Sequence, residues 1–194
     1  MFRLLIDDAI DLLRFRVKPL EAYQYPAWLP ALALTLLAVI GSAGASDLGD
    51  DIGGRMTFLV LFTWLETLCF AQFMGVWLRL AKWKQTGSLF GLIVVANALQ
   101  FVEPLTSWLP DQGAMVADMV LSLIEVMVLI NALAQVSGVS RLRVLLGILL
   151  FSPLALVLLA ASLSLASAQG WVKLPAELMQ SVQGASSGGA SKAF

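Results

Sequence analysis

ADMVLSLIEVMVLINAL, residues 117–133, is the stretch on which the reading of this chain turns. Apart from Asp118, Ser122, Glu125 and Asn131 it is apolar on every side of a 3.6-residue helix. A helix of that kind is surrounded by lipid or by protein core, not by water. The whole chain points to lipid. It has 194 residues, 59% of them hydrophobic and 13% charged, where a soluble domain carries roughly a quarter charged residues. The fold class expected is all-α, a polytopic integral membrane protein.

Working outward, five apolar runs approach the ~20 residues that cross ~30 Å of hydrocarbon. They fall near 28–46, 56–78, 88–109, 115–136 and 142–168. AGA before Ser46 resembles a signal cleavage site, but a polar stretch precedes the first run, so an uncleaved span is expected. Ahead of it, residues 1–27 open with MFRLLIDDAIDLLRFRVK. Arg3, Asp7, Asp11, Arg14 and Lys18 recur at helical spacing as a polar stripe, opposite Phe2, Leu5, Ile6, Ala9 and Leu13. This predicts an amphipathic helix in the headgroup plane, although a helix docking on protein has the same pattern. Pro19, Tyr23, Tyr25 and Trp28 read as an aromatic lead-in to the bilayer. Residues 28–168 form the membrane domain. Residues 169–194 end in the small, polar QGASSGGASKAF and read as a flexible tail.

Nine Lys and Arg residues (Arg3, Arg14, Arg16, Lys18, Arg79, Lys82, Lys84, Arg141, Arg143) fall on one side of this arrangement. Arg55, Lys173 and Lys192 fall on the other. That bias predicts a cytoplasmic amino terminus and an outer carboxyl terminus. The acidic loop with Asp47, Asp50 and Asp51 then lies outside. Together with Arg3 and Arg14 these acids form the expected interaction surface. Gly87 and Gly91 make a GxxxG pattern. Ala160, Ser164 and Ala168 make a small-residue stripe, for which internal packing is expected ahead of a dimer interface. Pro104 and Pro153 should kink their helices.

Four carboxylates, Glu66, Glu103, Asp118 and Glu125, lie within the predicted spans with no internal Lys or Arg. Ionised groups in lipid are costly and are functional candidates by default. Counting from the helix ends at 1.5 Å per residue puts Glu66 and Glu125 near the midplane, roughly 15 Å deep. Glu103 and Asp118 form an outer tier. On the third span Asn97, Gln100 and Pro104 share a face, with Glu103 at its edge. Three uses stay open: neutral carboxyl groups hydrogen-bonded within the bundle, a cation or proton path, or contact with basic groups of a partner.

With no histidine, a single cysteine (Cys69) and net charge −1, there is no motif for a metal or cofactor, no nucleic-acid footprint and no internal disulfide. Walker, GxSxG and paired-histidine motifs are absent, so no enzyme is expected.

FRVKPLEAYQYPAW, the five spans and NALAQVSGVSRLRVLLGILL together resemble the Yip (Ypt-interacting protein) domain family over roughly residues 15–168. There a G-x-S-R-x-x-A-L loop leads into the last helix. Here it reads Gly138, Val139, Ser140, Arg141, Leu142, Arg143, Val144, Leu145, with Val144 in the small-residue place. The resemblance implies a five-span protein. Eukaryotic members associate with small GTPases in vesicle traffic, and bacterial members sit in the inner membrane. The intramembrane acids and the acidic loop depart from that pattern. The expected function is a non-enzymatic membrane protein that binds or scaffolds membrane components in a bacterial inner membrane. Its expected partners are the bilayer and either other membrane subunits or copies of itself. The alternative is a small transporter or proton- or ion-conducting subunit built on the carboxylates.

Overall fold

The computed structural model describes residues 2–81, 83, 87–102, 106 and 108–173. Six α-helices account for most of them: α1 (Phe2–Leu13), α2 (Trp28–Gly44), α3 (Ile52–Arg79), α4 (Phe90–Ala96), α5 (Asp111–Ser137) and α6 (Arg141–Ala168). Short 3-10 turns occur at Leu20–Tyr23, Ser46–Leu48 and Asn97–Phe101. No strand is present among the described residues.

Helices α3, α5 and α6 have 28, 27 and 28 residues. At 1.5 Å per residue each is about 40 Å long, more than the hydrocarbon thickness. Only 11%, 6% and 17% of the residues in their most apolar windows are buried within the fold. Leu123, Leu149 and Val157 are among the many large apolar side chains turned outward. Water would not tolerate such a surface, whereas lipid does. These three helices therefore carry the membrane assignment. Helix α2, at 17 residues, reaches about 25 Å and lies at the short limit for a span.

The single regular helix expected over 88–109 is interrupted within the described residues. Helix α4 stops after seven residues and passes into the 3-10 turn Asn97–Phe101. Part of the reason is local: Ile93, Val94 and Val95 include a β-branched run, and Pro104 lacks the N–H that a continuing helix needs. Pro104 and Glu103 themselves lie outside the described residues. The other part is packing. Gly91, Leu92, Ile93, Val94, Val95 and Ala96 are all buried, because α4 is the hub against which α1, α2, α3 and α5 pack.

Close approaches fix this hub. A Cβ on Gly91 would sit 2.2 Å from the Tyr23 carbonyl oxygen, and one on Gly87 would sit 2.7 Å from Leu20 Cδ2. The GxxxG pattern thus seats α4 on the turn Leu20–Tyr23. Between α3 and α6, Phe151 packs against Phe70 and Phe73 at 5.0 and 5.5 Å between ring centroids. Nearby, a Cβ on Gly147 would meet Trp77 Cδ1 at 2.6 Å. The small-residue stripe of α6 does not share in this: Ala160, Ser164 and Ala168 are exposed. Gly147 and Phe151 take the close-packing role instead, because the large Trp77 and Phe rings of α3 meet that face.

Two local chemistries shape α6. Gly138 caps α5 in the left-handed conformation (φ 69°), which glycine adopts without penalty. Ser140 then caps α6, its side chain accepting from the Arg143 N–H. The G-x-S-R motif is accordingly a tight αα turn. Further along, Pro153 cannot donate to the Leu149 carbonyl, and Ser152 Oγ donates to that oxygen at 3.0 Å. A polar group freed inside lipid is satisfied in this way.

The two ends of the molecule differ in charge. At one end stand Arg79, Arg141, Arg143 and the α1 segment with Arg14 and Arg16. At the other, Asp47, Asp50 and Asp51 are exposed. Residues 171–173, predicted as the start of a flexible tail, pack onto this acidic end. The Lys173 N–H donates to the Leu48 carbonyl at 2.9 Å, and Val172 joins Phe58 and Ala166 in a small core. Residues 174–194 of the predicted tail lie outside the described residues.

Candidate functional site

The predicted intramembrane polar residues do not form one cluster. Glu125, in the middle of α5 and partly buried, lies 3.5 Å from Gln100 Nε2 of the 3-10 turn. About two turns nearer the start of α5, Asp118 accepts from Thr106 Oγ1 at 2.7 Å. The broken stretch after α4 therefore delivers Gln100 and Thr106 to two carboxylates of α5. Asn97 is half-buried at the head of the same turn. Glu66 lies at the middle of α3, half-buried beside buried Thr67. No hydrogen bond joins Glu66 to another described residue, since α3 faces α2, α4 and α6 while Gln100 is turned toward α5. Glu103 is outside the described residues.

At the acidic end, the turn Ser46–Leu48 and the Lys173–Leu48 bond hold the loop against the end of α6. Arg55 Nη1 donates to the Ala45 carbonyl at 3.2 Å. Gly54 lets the Trp171 carbonyl approach to 2.3 Å of where its Cβ would be. Asp47, Asp50 and Asp51 form no ion pair among the described residues. Their side chains are exposed on a loop tied to the segment after α6.

The sequence reading left out Asp8, which is 6% exposed and is the most buried charged residue of the described chain. It sits on the docking face of α1 with Leu5, Ala9 and Leu12, which pack on α4 and α5. Lys18 Nζ donates to Asp8 Oδ1 at 2.6 Å and pairs with Asp11 at 2.9 Å. Tyr25 OH donates to the other Asp8 oxygen, and Tyr23 OH accepts from the Lys18 N–H at 3.1 Å. Tyr23 and Tyr25, expected as a bilayer lead-in, thus belong to an internal lock, because a buried carboxylate needs donors on both oxygens. Trp28 is about half exposed. The hydrogen bonds to Asp8 and then Asp11 hold the Lys18 ammonium well above its ordinary range. Burial, then the bond to Asp8, pushes the Tyr25 hydroxyl up. The bond to Lys18 draws Asp11 down. The signal available in the sequence was the spacing Leu5, Asp8, Ala9, Leu12, an acid on an apolar face.

The amphipathic helix therefore docks on protein through one part of its apolar arc. Ile6 and Ile10, on the adjoining part, are 55% and 41% exposed and are free to meet the membrane surface. Arg3 and Asp7 form an exposed i,i+4 pair at 3.8 Å on the polar face, and Arg14 is exposed nearby.

Compared with known protein families, curated proteins and solved structures, the chain finds no match. The site stands on its own geometry. Among the described residues no group of three or more His, Cys, Asp or Glu side chains is placed to hold a metal ion. Asn131 of α5, 4% exposed, receives Arg141 Nη2 on its Oδ1 at 2.9 Å. On the far side of α6, Trp77 Nε1 donates to the Arg143 carbonyl at 2.9 Å, with the guanidinium 5.5 Å from the Trp77 ring.

Proposed function

We propose that this is a non-enzymatic integral membrane protein that binds or scaffolds other membrane proteins, as a subunit of a larger assembly or as a homo-oligomer. The observation that carries the proposal is the rigid display of Asp47, Asp50 and Asp51. The three acids are exposed, without ion pairs among the described residues, on a loop tied to the end of α6. A fixed acidic surface favours a partner with basic groups and steers its approach. The same proposal has the chain passing the membrane five times, α2 and the broken α4 stretch included. The basic end faces the cytoplasm of a bacterial inner membrane, in line with the Lys and Arg bias. The resemblance to Yip domain proteins fits a binding role of this kind.

Gentle extraction and mass spectrometry of the co-purifying proteins tests it. A stoichiometric partner is expected, lost when Asp47, Asp50 and Asp51 are all replaced by Asn. A partner retained by that triple variant, or a wild-type chain that purifies alone as a monomer, sinks the proposal.

A second reading, proton or cation conduction, is favoured by the pairs Gln100–Glu125 and Thr106–Asp118. They set polar groups at two depths along α5. Proteoliposome flux should then drop at least about tenfold in Glu125→Gln, and equal flux in wild type, Glu125→Gln and Glu66→Gln removes this reading.

A further inference from the structure

A cavity of about 460 Å³ opens where the end of α1 meets α5 and the first turn of α6, lined by Phe15, Met127, Ile130, Asn131, Gln135 and Arg141. Its polar wall offers donors. Asn131 gives its oxygen to Arg141, which leaves its Nδ2 buried and without an acceptor. Arg141 has only N–H groups to offer, and no carboxylate pairs with it among the described residues. It also sits at the start of α6, where the helix dipole disfavours a cation and favours an anion. The charge, the dipole and the orphaned amide all ask for an acceptor-rich anion.

The other wall is apolar and reaches the outer surface. Met127 is 52% exposed on the lipid-facing side of α5, with half-buried Ile130 beside it. Phe15 closes the rim from an unusual backbone position. The Arg16 N–H donates to the Asp11 carbonyl and the Phe15 N–H to the Leu12 carbonyl, the bonding of a Schellman cap. The left-handed residue of that cap is ordinarily glycine, yet here Phe15 holds φ 58°. The ring is kept at the rim despite a backbone that glycine would occupy without strain.

We propose that this cavity binds an anionic phospholipid, its phosphate held by Arg141 and the Asn131 amide and its first acyl carbons lying on Met127, Ile130 and Phe15. Basic pockets between membrane helices take such headgroups on electrostatic grounds. Inorganic phosphate would satisfy the donors but leave the apolar wall uncovered. The proposal rests on the chain being embedded in lipid and is independent of any partner at the acidic end.

Native mass spectrometry of the delipidated full chain in neutral detergent tests it, with palmitoyl-oleoyl phosphatidylglycerol, the matched phosphatidylcholine and inorganic phosphate as probes. One saturable phosphatidylglycerol adduct is expected, retained in preference to phosphatidylcholine. Its affinity should fall about tenfold in Arg141→Gln, which removes a charge-assisted contact. Phe15→Gly, which suits the cap, should also weaken it without lowering thermal stability. Lys173→Gln, at the opposite end, should leave it unchanged. Adducts of equal strength in wild type and Arg141→Gln overturn the proposal. So does displacement of the lipid by inorganic phosphate at matched concentration, which marks a free-anion site.

Discussion

At the scale of single residues, glycine chemistry separates two positions that look alike in the sequence. Gly91 faces a backbone carbonyl at 2.2 Å from its notional Cβ, while Gly75 of α3 has nothing within 4 Å. A carbonyl held by the hub cannot retreat as a flexible side chain would. Gly91→Ala should therefore lower stability by about 1–3 kcal/mol, the usual range for overpacking. Gly75→Ala should be neutral or gain up to about 1 kcal/mol from helix propensity. Unfolding midpoints in detergent check both. Equal midpoints for the two variants would mean that α4 does not press on the turn Leu20–Tyr23. Asp8 teaches a related lesson. Its neighbour Asp7 lies on the polar stripe and is exposed, whereas one position of helical rotation takes Asp8 into the protein. There it is tolerable only because Lys18 and Tyr25 supply donors.

At the scale of elements, the docking of α1 depends on three titratable groups. Lys18 and Tyr25 hold their protons more tightly when folded, from ordinary values of 10.5 and 10.0. Their contribution is complete below those values and is lost as pH rises through the raised ones. Asp11 has the opposite sign. Its carboxyl is drawn below the ordinary 3.8, so its contribution is present above that value and is lost as pH falls. Docking should be flat from about pH 5 to about pH 9 and should loosen above about pH 10. The mobility of a spin label at Leu4→Cys, on a Cys69→Ser background, measures this. Leu4 is 60% exposed, so the label reports α1 without displacing its docking face. A label equally immobile in the parent and in Asp8→Asn at pH 7 would show that the lock does not govern docking.

At the scale of the whole molecule, the arrangement is inverted relative to a water-soluble protein. Buried residues gather on α4 and its surroundings, and the long helices turn their apolar faces outward. Charge is sorted by end, basic beside α1 and the 137–141 turn, acidic beside the 45–51 loop. The orientation proposed from this sorting predicts a labelling pattern on the same Cys69→Ser background. A membrane-impermeant maleimide added outside spheroplasts should modify Asp50→Cys, and should modify Arg16→Cys only after permeabilisation. The reverse pattern would invert the topology.

Much of this was legible in the residues themselves. Length and hydropathy determine α3, α5 and α6, because crossing hydrocarbon demands a long run in which each backbone group bonds within its own helix. The cap residues Gly138 and Ser140 mark the turn between α5 and α6, since both conformations are local. The charge bias of the two ends is likewise a property of sequence order. What lay beyond the sequence depends on contacts between distant segments. That 88–96 would be a buried hub, and that Tyr23 and Tyr25 would lock a buried Asp8, follows from α1 folding back onto α4. So do the separation of Glu66 from Glu125 and the outward placement of the α6 small-residue stripe, which follow from which helix faces meet. Periodicity tells that a helix has an apolar face. It does not tell whether lipid or protein covers it, since hydrocarbon and a protein core are alike to an apolar side chain, and packing makes the choice.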